Sequence, residues 1–183
     1  MTRSEPIPHP CATVELRLMH EADLPAYKAL RDGMLEGHED AFTSDAASER
    51  ARPASSYRSR LANGETLLFT LLAWQDGALL GALTIERDQR SKVAHQAHLV
   101  GMMVSDAAQG RGIGRRLMDE ALRLLRQDQR LSLLTLSVTA SNAGAVRLYE
   151  GAGFKRYGRL EGAIRLPDGR VLDKDLMVLR LRD

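Results

Sequence analysis

Gln109-Gly110-Arg111-Gly112-Ile113-Gly114 separates an apolar segment, Leu99-Val100-Gly101-Met102-Met103-Val104, from an amphipathic one. The apolar segment reads as a strand. In the segment that follows, Ile113, Leu117, Ala121 and Leu124 share one helical face, with Arg115, Arg116, Asp119, Glu120 and Arg123 largely on the other. Glycine at every second position lets the chain turn tightly and removes side chains that would block a ligand. The freed N–H groups point outward at the positive end of a helix dipole. The stretch is therefore an anion cradle between strand and helix, the mark of an α/β fold.

Two other phosphate loops fit worse. A dinucleotide fingerprint needs its third glycine at position 115, which is Arg, and an acidic ribose partner about 20 residues on, where the chain reads Leu133-Leu134-Thr135-Leu136-Ser137. A P-loop closes with Gly-Lys-Ser/Thr, and none occurs.

A second motif follows the strand Leu133–Thr139, in which Leu134, Leu136 and Val138 alternate with Thr135, Ser137 and Thr139. It runs Asn142-Ala143-Gly144-Ala145-Val146-Arg147-Leu148-Tyr149-Glu150-Gly151-Ala152-Gly153-Phe154. Ser141 or Asn142 suits a helix N-cap, and Gly151 or Gly153 its end. At 100° per residue, Asn142 and Tyr149 fall on one face, two turns apart.

With these two motifs in this order and spacing, the chain resembles the GNAT superfamily of acetyl-CoA-dependent N-acetyltransferases, over roughly residues 13–181. The resemblance implies a mixed, mostly antiparallel central sheet of six to seven strands with helices on both faces. It implies acetyl-CoA as co-substrate, with no metal, and an acetyl group moved directly to an amine. The CoA pyrophosphate maps onto Gln109, Gly110, Arg111, Gly112, Ile113 and Gly114, with Arg115 beside them. The strand before the loop bends away from its neighbour in this family, so the pantetheine arm maps onto Met102, Met103 and Val104, with Gly101 a bulge position. Asn142 maps near the thioester, and Tyr149 at the sulfur as general acid for the departing thiolate. A thiol near pKa 8.5 and a tyrosine near 10 make that donation slightly uphill, unless the site lowers the tyrosine or transfer is concerted.

The general base is left open. Candidates are Glu86, and His95 and His98 ahead of the loop; strand alternation puts the two histidines on opposite faces. Water also serves as base in this family. The acceptor is a small-molecule amine or a protein N-terminus. Homodimer formation is a family habit that no pattern in this chain proves.

Composition agrees. The 183 residues suit one domain, expected over 13–183 after a flexible, Pro-rich tail at 1–12. The 26 basic and 24 acidic residues nearly cancel, so nucleic acid is not an expected partner, and the cofactor phosphates account for Arg111, Arg115 and Arg116. A lone Cys11 suits a reducing cytosol, hence a cytoplasmic location. Neither a run of about 18 apolar residues nor a signal-peptide apolar region is found, so no membrane association is expected.

The remaining chain reads as frame. Residues 13–19 alternate Val14, Leu16 and Leu18 inward as a first strand. Asp23 caps a helix carrying Leu24, Ala26, Leu30 and Met34, with Pro25 at its first position. Strands 67–74 and 79–86 flank Asp76-Gly77, a hairpin signal, and 154–166 and 171–181 flank Pro167-Asp168-Gly169. The order β-α-α-β-β-β-α-β-α-β-β results. Residues 38–63 are polar and fall where relatives cover the acceptor, with Phe42, Tyr57 and Trp74 as candidate pocket walls. Two rival functions remain: a nucleotide-using ligase or dehydrogenase, and a non-catalytic CoA-binding regulatory module. Retention of Asn142 and Tyr149 argues against the second.

Overall fold

The computed structural model describes residues 13–62 and 69–182. Cys11 and the expected tail at 1–12, together with Leu67 and Leu68 of the second expected strand, lie outside them. The elements are β1 (Glu15–Leu18), α1 (Leu24–Gly37), α2 (Ala46–Ala51), β2 (Phe69–Gln75), β3 (Ala78–Arg87), β4 (Gln96–Val104), α3 (Ile113–Gln127), β5 (Leu133–Thr139), α4 (Ala143–Gly151), β6 (Lys155–Arg165) and β7 (Val171–Arg180). This is the order expected from the sequence. The strands form one seven-stranded sheet in the order β1-β2-β3-β4-β5-β7-β6. Every neighbouring pair is antiparallel except β4 and β5.

Side-chain alternation sorts the core into two layers. On one face Leu71, Leu83, Ile85, Leu134 and Leu136 pack under Ile113, Leu117, Ala121 and Leu125 of α3. On the other, Leu72, Ala82 and Met103 meet Leu24, Tyr27 and Met34 of α1. The β2–β3 turn forms on Asp76 and Gly77, both at positive φ (51° and 77°), as a two-residue hairpin of this twist demands.

Two details position the site. Thr84 pairs with Gly101 and Ile85 with Leu99, so Val100 is an extra residue in β4, one position before the expected bulge at Gly101. The extra residue reverses the strand's phase: Ala97 and Leu99 belong to the α3 side, Met103 to the α1 side. Second, the β4–β5 ladder runs only from Gln96–Leu133 to Leu99–Leu136. Beyond it the strands splay, and backbone of β4 is left facing a gap.

Some local expectations shift. Val14 and Met19, which flank β1, are buried and Leu16 packs against the core, while Leu18, the last residue of this edge strand, is 37% exposed. Pro25 takes the second helical position, not the first. Asp23 does stand at the N-cap of α1 but offers its carboxylate elsewhere: Arg17 holds both oxygens, at 2.6 and 2.7 Å, and the His20 amide donates to one. The buried face of α1 is Leu24, Tyr27, Arg31, Met34 and Leu35, so Ala26 and Leu30 lie off its centre.

Candidate active site

Local chain geometry explains the loop. Gly110 and Gly112 have φ of +73° and +75°, the left-handed region that costs other residues strain, and a Cβ on either would meet no atom within 4 Å. Gly114 is small for a different reason: a Cβ there would lie 3.2 Å from Leu148 Cδ2 and 3.2 Å from Met102 Cε. It lets α3, α4 and β4 approach at one point. The amides of Gln109 and Arg111 are turned inward, to the carbonyls of Asp106 (3.2 Å) and Ala108 (3.4 Å). Those of Gly110, Gly112, Gly114 and Arg115 have no main-chain acceptor among the described residues, the last three because they open a helix.

These groups line a cleft of about 470 Å³ that continues along Met102, Met103 and Val104 to Asn142 and Tyr149. The expected cofactor residues thus converge, with one exception. The Arg111 side chain hydrogen-bonds Gln75 and does not line the cleft. Arg116 also turns away, donating to the Val14 carbonyl at 2.9 Å. Arg115 alone of the three basic residues reaches the cleft, where it also holds Asp119 (2.8 Å) and the Gly151 carbonyl (3.1 Å).

Asn142 caps α4: its Oδ1 accepts from the Ala145 amide at 3.0 Å, which leaves its NH₂ for the cleft. Tyr149 is 6% exposed and packs edge-to-face on Phe154. Among the described residues its hydroxyl donates only to the Met102 sulfur, at 3.8 Å. Burial pushes this hydroxyl up to about 12, opposite to the direction that would ease proton donation.

A second cleft, of about 490 Å³, shares Met102, Asn142 and Tyr149 with the first and opens across the splay between β4 and β5. His98 lines it, with Nδ1 2.6 Å from the Thr135 hydroxyl. Glu86 pairs in register with His98 but is exposed and lines neither cleft; His95 lines neither as well. Of the expected pocket aromatics, Phe42 lines both clefts. Tyr57 is instead buried against Glu49, and Trp74 lies under the Arg17 guanidinium. Tyr57 is core because α2 and the 3-10 turn Ala54–Arg60 fold down on α1, whereas Trp74 is only half-buried beside the same cluster.

Two site residues were missed by sequence reasoning. His38, at the end of α1, lines the first cleft and holds Asp106 at 2.6 Å, to which Gln109 also donates at 2.8 Å. Lys174 of β7 lines the second cleft. No local signal marks either, since β7 reaches the site only by inserting between β5 and β6.

Comparison with known proteins agrees with this arrangement. The acetyltransferase (GNAT) family profile matches residues 31–154, and the chain belongs to that family. An L-amino acid N-acetyltransferase, AaaT of Escherichia coli (strain K12), is 33% identical over 88 residues, 48% of this chain and 54% of the relative. The N-alpha-acetyltransferase RimI of Mycobacterium tuberculosis (strain ATCC 25618 / H37Rv) is 39% identical over 83 residues, 45% and 49% of the two chains. The chain therefore matches about half the length of these curated relatives. The solved structure of yncA from Salmonella typhimurium, which holds its cofactor acetyl-CoA, superposes with a TM-score of 0.75 at 19% identity, over 93% of this chain and 95% of that one. Among the described residues no helix is long and apolar enough to cross a membrane.

Proposed function

We propose that the protein transfers the acetyl group of acetyl-CoA directly to an amine, with residues 13–183 acting as one N-acetyltransferase domain. The observation that carries this reading is the single cleft joining the free amides at the start of α3 to the hydroxyl of Tyr149. The loop fits a diphosphate, because the space a Cβ would take at Gly110 and Gly112 is open and their own amides have no main-chain acceptor among the described residues. When bound, acetyl-CoA supplies an acyl group activated as a thioester.

Gly110, Gly112, Gly114 and Arg115 would hold the phosphates through main-chain N–H groups, each charge-assisted contact worth about 1.5–3 kcal/mol. The unpaired edge of β4 at 102–104 would take the amides of the pantetheine arm as a strand takes its neighbour. The Asn142 NH₂ would donate near the thioester. Tyr149 would stay neutral and give its O–H to the sulfur as negative charge develops there. A tyrosine at about 12 is a weak acid beside a thiol near 8.5, but the burial that raises one raises the other, so the mismatch narrows inside the cleft. The acceptor amine would approach through the second cleft, where His98 or a water takes its proton; Glu86 is poorly placed for that task.

The test is release of free thiol from acetyl-CoA with a panel of amino acids, polyamines and peptide N-termini. Amine-dependent release together with the acetylated amine supports the reading. Saturable CoA binding without release from any amine would instead establish a non-catalytic binding module.

A further inference from the structure

Lys174 stands in β7 opposite Thr139 of β5, on the sheet face that also carries Thr135 and Ser137. It is half-buried and lines the cleft shared with Tyr149. Its Nζ donates to the Thr43 hydroxyl at 2.6 Å, a neutral partner. An ammonium has three donors, so two remain.

The carboxylates around it are engaged elsewhere. Asp175 points to the opposite face and is held by Arg159 at 2.7 Å and by Arg156. Asp173 accepts from the Gly162 amide at 3.0 Å. Asp40 and Glu39 are exposed, and neither forms an ion pair with Lys174. No carboxylate among the described residues lies within ion-pair distance of Lys174, and burial holds its ammonium below the usual lysine range. The buried charges Arg31 and Asp23 are matched, in Arg31–Glu49 and Arg17–Asp23. A desolvated cation without a counterion is unfavourable, and a ligand carboxylate would remove that cost.

We propose that Lys174 selects the acceptor by binding its carboxylate, so that the substrate is an amine bearing a free acid rather than the N-terminus of a protein. This rests on the acetyl-transfer reading above. Lys174 is here a specificity residue; the amine lies toward Tyr149 and the acid toward β7.

The experiment compares L-leucine with L-leucinamide, and γ-aminobutyrate with its carboxamide, as acceptors for the full chain. A charge-assisted contact predicts a preference of about 10–100-fold in kcat/KM for at least one acid over its amide, carried by KM. Lys174→Met should reduce that ratio to near one, and Lys174→Arg should keep much of it. Equal use of acid and amide by the unaltered protein would overturn the inference, as would a Lys174→Met variant that loses kcat on both alike. Calorimetry with N-acetyl-L-leucine and its amide reads the same preference without turnover. If no amine releases thiol yet the acetylated acid binds more tightly through Lys174, the transfer reading fails and only carboxylate binding at Lys174 remains.

Discussion

The hydroxyl of Tyr149 stands 3.8 Å from the sulfur of Met102, tying α4 to the part of β4 that has left its parallel neighbour. Sulfur is a weak acceptor, so this hydroxyl is nearly unspent in the protein itself. Removing it as Tyr149→Phe should change Tm little. Turnover should drop by about 10²–10⁴-fold, the range typical of a lost general acid, with CoA affinity nearly unchanged. Because burial raises Tyr149 to about 12, the neutral donor persists through the working range. A plot of kcat against pH should therefore show no alkaline loss from this residue up to about pH 10.

Gly112 and Gly114 should fail in different ways. Asn tolerates the left-handed φ that Gly112 adopts, so Gly112→Asn should lose no more than about 1 kcal/mol of stability. Its side chain would occupy the anion seat, and the Kd for CoA should rise by at least about tenfold, the loss of one contact. Gly114→Val would press on Leu148 and Met102 and should cost about 1–3 kcal/mol by overpacking. Thermal melts paired with CoA titrations separate the two.

Asn142 carries two duties on one amide. Asn142→Ala removes the cap on the Ala145 amide and should cost about 1 kcal/mol. Asn142→Asp keeps an acceptor there but loses the NH₂ donor, so it should melt near the parent while turnover falls. Equal turnover in the Asp variant and the parent would show that the donor is not used.

Away from both clefts, Glu49 accepts from Arg31 at 3.0 Å and from the Tyr57 hydroxyl, pinning α2 and the following turn to α1. Burial alone would raise the Glu49 carboxyl; its hydrogen bonds from Tyr57 and Arg31 outweigh that and hold it below the usual 4.5. Its contribution to stability is then present above pH 4.5 and lost as pH falls through the lower folded value. Glu49→Gln strands the Arg31 charge and should cost about 3–5 kcal/mol in urea unfolding near neutral pH, and flatten this acid limb.

Residue patterns foretold most of the frame because its signals are local. Asp76-Gly77 has one favoured hairpin turn, the α3 stripe has one period, and Asn142 sits three residues before the amide it caps. Where a signal was missing, a long-range contact had decided the outcome. Tyr27 and Arg31 are buried because α2 folds over α1 and brings Glu49 and Tyr57 to them, which no period in α1 reveals. Trp74 is inward only as far as Arg17 allows. Arg111 and Arg116 look like phosphate ligands by position, yet each satisfies a neighbour across the sheet or loop. His38 and Lys174 enter the site through packing of segments 60 or more residues from the glycine loop and from each other.

The central claim is that main-chain amides at the start of α3 seat a diphosphate while Tyr149 meets the sulfur at the other end of the same cleft. A crystal structure with CoA tests it most directly. The account predicts phosphate oxygens on the amides of Gly110, Gly112, Gly114 and Arg115, and the thiol within hydrogen-bond reach of the Tyr149 hydroxyl. Phosphates seated elsewhere, or a thiol remote from Tyr149 with the loop amides closed on protein acceptors, would contradict it.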